Sequence, residues 1–136
     1  MLGRASVIFL ALFWTVGAFA HGEDKLGPHG GFIKMPGGFH TEVISLGKSA
    51  LKIYLLDISW KNPTVSKSSL NVTHQGVRAK CLSKDNHYVC EFGSKTDLTK
   101  PGQITVEAMR EGQQGSTMAY DLPLSLQGAA GDHKGH

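Results

Sequence analysis

Excess charge is scarce in this chain: its 136 residues hold 14 Lys and Arg against 11 Asp and Glu, for a net charge of +3. That is too little to argue for a nucleic-acid partner, and no basic run with interleaved aromatics appears. Helical patterning is missing as well. No window longer than ten residues carries an apolar stripe with caps. There is no Gly-rich phosphate loop leading into a helix. There is no Ser or Cys nucleophile with a base at a motif spacing. No internal repeat occurs, and Asn71-Val72-Thr73 is a glycosylation sequon only in a eukaryotic secretory pathway. These absences weigh against most enzyme classes and leave a binding or interaction module.

Long apolar runs are absent too, except at the start. Arg4 is the only charge in residues 1–20, and the run from Ala5 to Phe19 is mostly apolar. It ends in Ala18-Phe19-Ala20, small residues at the positions a signal peptidase reads. Residues 1–20 are therefore expected to be a secretory signal peptide, with a single membrane anchor as the alternative. No cysteine follows the cleavage site, so lipid attachment there is not expected. Loss of Arg4 lowers the net charge by one, to about +2. The mature chain would lie in the periplasm or be secreted, with no membrane span after cleavage.

Cysteine is limited to Cys81 and Cys90. An oxidising compartment favours pairing them, and a reactive or metal-binding thiol pair is the competitor.

What is present has a period of two. Residues 39–46, 51–58, 69–75, 77–82, 87–92, 104–109 and 117–126 read as strands rich in Val, Ile, Leu, Tyr and Thr. Gly, Pro, Asn, Asp or Ser separate them. The pattern predicts an all-β fold, an antiparallel immunoglobulin-like β-sandwich over residues 21–127, with a small barrel as the alternative. Residues 128–136 are a Gly-rich tail bearing His133 and His136. Turns are expected at Pro36–Gly38, where two glycines accept positive φ, and at residues 83–86. A hairpin centred between Asp85 and Asn86 pairs Leu82 with Val89 and Cys81 with Cys90. Val77, Ala79 and Cys81 then share one apolar face of their strand, and Tyr88, Cys90 and Phe92 one face of theirs.

Candidate ligands crowd one stretch, HGEDKLGPHGGFIKMPGGFH, from His21 to His40. As the first mature residue, His21 would offer an α-amine and an imidazole, a chelate suited to copper(II) or nickel(II). Met35 and His40 face each other across the glycine turn, and a thioether beside an imidazole suits copper(I). Glu42 follows His40 on the same strand face; the two can point at one ion or form a solvated face. His29 sits among glycines and can join either histidine. His74 and His87 read as ordinary polar positions. The expected metal residues are His21, His29, Met35, His40 and Glu42, with copper as the ion.

The stretch GPHGGFIKMPGGFHTEVI, followed by LKIYLLDISWKNPTV, resembles small bacterial periplasmic proteins and segments of the periplasmic adaptor subunits of heavy-metal efflux systems. The shared pattern rests on Gly27, Pro28, Gly30, Gly31, His40, Glu42, Tyr54, Leu55 and Asp57. It covers roughly the first third of the mature chain and is short. The resemblance implies an envelope β-domain linked to copper or related metals, with an efflux system as a possible partner. The chain lacks an adaptor's coiled-coil and lipoyl-like parts, and the cysteine hairpin lies outside the pattern. The expectation is an exported, non-enzymatic protein that binds or handles copper or a related heavy-metal ion. Its alternatives are an envelope interaction module without metal and a copper enzyme using an amino-terminal histidine brace; the latter lacks a clear aromatic platform.

Overall fold

The computed structural model describes residues 25–126. The signal peptide expected over residues 1–20, His21 and the expected tail with His133 and His136 lie outside the described residues. The strands are β1 (Phe32–Lys34), β2 (Phe39–Ser45), β3 (Ala50–Asp57), β4 (Ser69–His74), β5 (Val77–Arg78), β6 (Lys80–Lys84), β7 (His87–Glu91), β8 (Gly102–Arg110), β9 (Gln113–Gln114) and β10 (Met118–Leu122). No helix occurs among the described residues. One sheet runs β1-β2-β3-β7-β6; the other runs β10-β8-β4-β5, with β9 on β8. All pairings are antiparallel. The two sheets do not close on each other, so the expected sandwich is present and the barrel is not.

Alternation builds the core. In β8, Ile104, Val106 and Ala108 turn inward; in β4, Leu70 and Val72 do so. They meet Phe39 and Val43 of β2 and Leu51, Ile53 and Leu55 of β3. Burial of these side chains is the main driving force for joining the layers. Polar contacts join them as well. Tyr120 of β10 lies 2.7 Å through its hydroxyl from Thr41 Oγ1 of β2, and donates to the Thr41 carbonyl at 3.1 Å.

The 83–86 turn is a hairpin between β6 and β7. Its register pairs Leu82 with Val89 and Cys81 with Cys90, as the turn residues predict. Asp85 takes the left-handed conformation, at φ 52°. Cys81 and Cys90 form a disulfide. Tyr88, Cys90 and Phe92 are buried together.

The strand expected at 77–82 departs from that reading. It breaks at Ala79, where the chain passes from one sheet to the other. The Ala79 N–H bonds across to the Val72 carbonyl at 2.8 Å. Val77 therefore pairs with β4 and is half exposed rather than sharing a buried face with Cys81. The Pro36–Gly38 turn joins β1 to β2 as expected, but its glycines do not take positive φ. A Cβ on Gly38 would lie 2.8 Å from the side-chain amide of Gln113, an exposed group that can move aside, so the turn does not depend on glycine there.

Candidate functional site: a histidine-bearing sheet face

The central strands β2 and β3 are buried on both faces. Phe39, Thr41 and Val43 face the core; His40 and Glu42 face outward, yet they are only 6% and 0% exposed. On β3, Tyr54 and Leu56 face outward and are also buried. The register sets Glu42 beside Tyr54 and His40 beside Leu56. The solvated face expected for His40 and Glu42 is thus absent: two chain segments cover it.

The first cover is the loop from Gly27 to Gly31. It is a tight turn, with Gly30 N–H bonded to the Gly27 carbonyl and Gly27 N–H to the Gly31 carbonyl. Glu42 reaches up beneath it. Glu42 Oε2 accepts the His29 N–H at 2.7 Å and the Gly31 N–H at 2.9 Å, and Oε1 is 2.7 Å from His29 Nδ1. A buried carboxylate needs such donors to offset its lost hydration. The glycines allow the approach: a Cβ on Gly27 would sit 2.6 Å from the carboxylate carbon. The Gly-Pro-x-Gly-Gly and His-x-Glu segments are therefore two halves of one packed unit. His29 lies flat on Tyr54, ring centroids 3.7 Å apart and planes 8° apart. His87, at the start of β7, tilts against the same tyrosine at 5.2 Å.

The second cover is the loop after β3. Asp57 builds it: Oδ1 accepts the N–H groups of Ser59 and Lys61, both at 2.9 Å, and Oδ2 accepts Asn62 Nδ2 at 2.7 Å. The Lys61 and Asn62 hydrogen bonds hold the Asp57 carboxyl below its usual range. Trp60 (φ 69°) and Asn62 (φ 55°) take left-handed backbone conformations that this turn enforces. The loop sets Trp60 against His40, ring centroids 4.6 Å apart. His40 Nδ1 is 3.2 Å from the Asp57 carbonyl. A carbonyl only accepts, so Nδ1 is the donor and Nε2 carries the lone pair.

Met35 is half exposed. The β1–β2 pairing ends at Lys34 and Thr41, so Met35 follows β1 outside the ladder, at the start of the turn that leads back to His40. His29, His40 and Glu42 lie on one side of one sheet, Met35 sits in the segment between β1 and β2, and His21 lies outside the described residues. Glu42 differs from the others because both its oxygens are engaged by the loop. Among the described residues no group of three or more His, Cys, Asp or Glu is arranged to hold a metal ion.

Tyr54, Trp60 and His87 join this face without having been singled out as ligands or supports from the residues alone. Tyr54 and Asp57 were marked only through the shared pattern. Nothing local in the sequence links His87 to Tyr54; the β3–β7 pairing, distant in sequence, does. His87 Nδ1 lies 3.0 Å from Asn86 Oδ1. Burial, then the positive charge of Lys52, pushes the His87 pKa down, with Asp85 opposing, so the ring favours its neutral form. His74 belongs elsewhere: it is buried with its ring edge-on to Phe92 at 6.0 Å.

Compared with known proteins, the chain matches no family model, no curated protein and no solved structure.

Proposed function

We propose that the chain is an exported envelope protein that binds copper or a related soft ion without catalysing a reaction, with His40 and Met35 as its central ligands. The reading rests on the orientation of His40. Its Nδ1 proton is held by the Asp57 carbonyl, which leaves Nε2 as a lone-pair donor. Imidazoles that ligate metals are oriented by a backbone carbonyl or carboxylate in this way. Met35, across the Pro36–Gly38 turn from His40, would add a soft thioether, a pairing that suits copper(I) better than zinc or magnesium. The disulfide agrees with an oxidising compartment, and no helix among the described residues is long and apolar enough to cross a membrane. Export also rests on the amino-terminal run that ends at Ala20. His21, once exposed by cleavage, would add a copper(II) chelate. A metal efflux system of the envelope is the partner to which such a protein would pass its ion.

Competition against a chromophoric copper(I) chelator tests this. The mature protein is expected to take one copper(I) from the chelator, and H40A and M35L to lose at least about tenfold in affinity, the scale of disrupting a ligand's surroundings. Equal copper(I) affinity in the wild type and both variants would overturn the assignment.

A further inference from the structure

A second cluster on the same face has a different donor set. His29 and His87 both contact Tyr54, one flat on the ring and one tilted against it. Each imidazole has its Nδ1 directed to an oxygen, Glu42 Oε1 for His29 and Asn86 Oδ1 for His87. The Asn86 side-chain oxygen only accepts, and an ionised Glu42 only accepts, so both rings place the lone pair on Nε2. Neither Nε2 has a hydrogen-bond partner among the described residues.

Tyr54 supplies an independent observation. It is 9% exposed, yet its hydroxyl has no hydrogen-bond partner among the described residues. A buried tyrosine hydroxyl ordinarily finds one. An unsatisfied phenol beside two rings with free Nε2 atoms is an arrangement waiting for a ligand. Two imidazole nitrogens and a phenol oxygen are borderline donors, suited to copper(II) or zinc(II). Thiolate and thioether are missing from this set, so it differs in softness from the pair His40 and Met35.

We infer that Nε2 of His29 and Nε2 of His87 hold one borderline divalent ion, copper(II) or zinc(II), beside the Tyr54 ring, with Glu42 as the residue that positions His29. The inference does not depend on copper(I) binding at His40. Glu42 acts through its hydrogen bond: the buried carboxylate fixes the His29 tautomer and the orientation of its ring. The glycine loop is what lets the backbone carry His29 over the sheet to Tyr54, which His87 also touches.

Zinc(II) titration of the 15N-labelled mature protein, followed through imidazole resonances, tests the site. The H21A background removes the side-chain half of any amino-terminal chelate. Zinc(II) is expected to move His29 and His87 together and to saturate both at the same stoichiometry. H29A and H87A should each weaken this step at least about tenfold, whereas H40A should leave it unchanged. E42Q should shift the His29 15N pattern from the Nδ1-protonated tautomer towards a mixture before any metal is added, which a loss of packing alone would not do. Zinc(II) that leaves both resonances unmoved, or binds equally to H29A, H87A and their parent, would overturn the site. Zinc binding that survives H40A while copper(I) binding is lost would separate this site from the copper(I) reading.

Discussion

Glu42 lies directly beneath Gly31, accepting its N–H at 2.9 Å where a Cβ on that glycine would be 2.8 Å from Glu42 Cγ. The two residues are eleven positions apart, and neither can change alone. The glycine makes room for the carboxylate, and the carboxylate holds the glycine's backbone. The same Cβ would lie 2.5 Å from Ile44 Cγ1 and 2.8 Å from the Val43 carbonyl, so it meets strand β2 and not merely a flexible tip.

Gly31→Ala is therefore expected to destabilise the protein by about 1–3 kcal/mol, the range for overpacking a tight site. Gly27→Ala, whose added carbon meets the Glu42 carboxylate at 2.6 Å, should behave alike and also disturb the His29 ring. Urea denaturation checks the first effect. Wild-type stability in both variants would show that the loop can lift off Glu42 at no cost.

The Tyr120 hydroxyl bonds with Thr41 and so ties the two layers together inside the core. Tyr120→Phe keeps the ring and removes the oxygen, leaving the buried Thr41 hydroxyl with only a long 3.5 Å bond to the Lys34 carbonyl. A loss of about 1–2 kcal/mol is expected, the scale for a buried polar pair broken on one side. Adding Thr41→Val should then cost less than it does in the wild type, and a double-mutant cycle by chemical denaturation measures that difference.

Cys81 and Cys90 close a short hairpin with a sequence separation of 9. Replacing both by Ser should cost about 2–3 kcal/mol, mostly through the freedom regained by the unfolded chain. The loss is expected to grow because Cys90 is fully buried, and Ser there would bring a hydroxyl into the core. Denaturing thiol titration of the purified, unreduced protein should find no free thiol.

His87 makes stability depend on pH in a stated direction. Its folded pKa lies below the ordinary 6.5, chiefly through burial and then through Lys52. Above that value His87 is neutral in both states and contributes nothing. As pH falls through 6.5 the unfolded chain takes up the proton first, so stability drops, and it levels off once the folded ring is protonated as well. His87→Asn should flatten this part of the profile. Stability measured by urea unfolding between pH 7.5 and pH 5, about the window in which histidine titrates, checks the slope. An unchanged slope in the variant would place the dependence on another histidine.

The sequence by itself determined most of the strands, their period and the hairpin that pairs Cys81 with Cys90, but not the short strands β1 and β9. These are short-range facts: alternation shows in a run of six residues, and Asp85 with Asn86 sets a register through backbone preference. Only the tertiary structure decided which face of β2 is open to water. His40 and Glu42 look solvent-facing in a run that alternates with Phe39, Thr41 and Val43. They are buried because Gly27–Gly31 folds back over the strand and the loop built by Asp57 brings Trp60 beside it. The break at Ala79 was hidden for the same reason: one strand pattern continues while the chain changes sheets, and what splits it is the Val72 carbonyl on a neighbouring strand. His87 reaches Tyr54 only when β7 pairs with β3, a contact between segments more than thirty residues apart. Periodicity reports on neighbours along the chain; what covers a face is set by long-range pairing, which leaves no local mark.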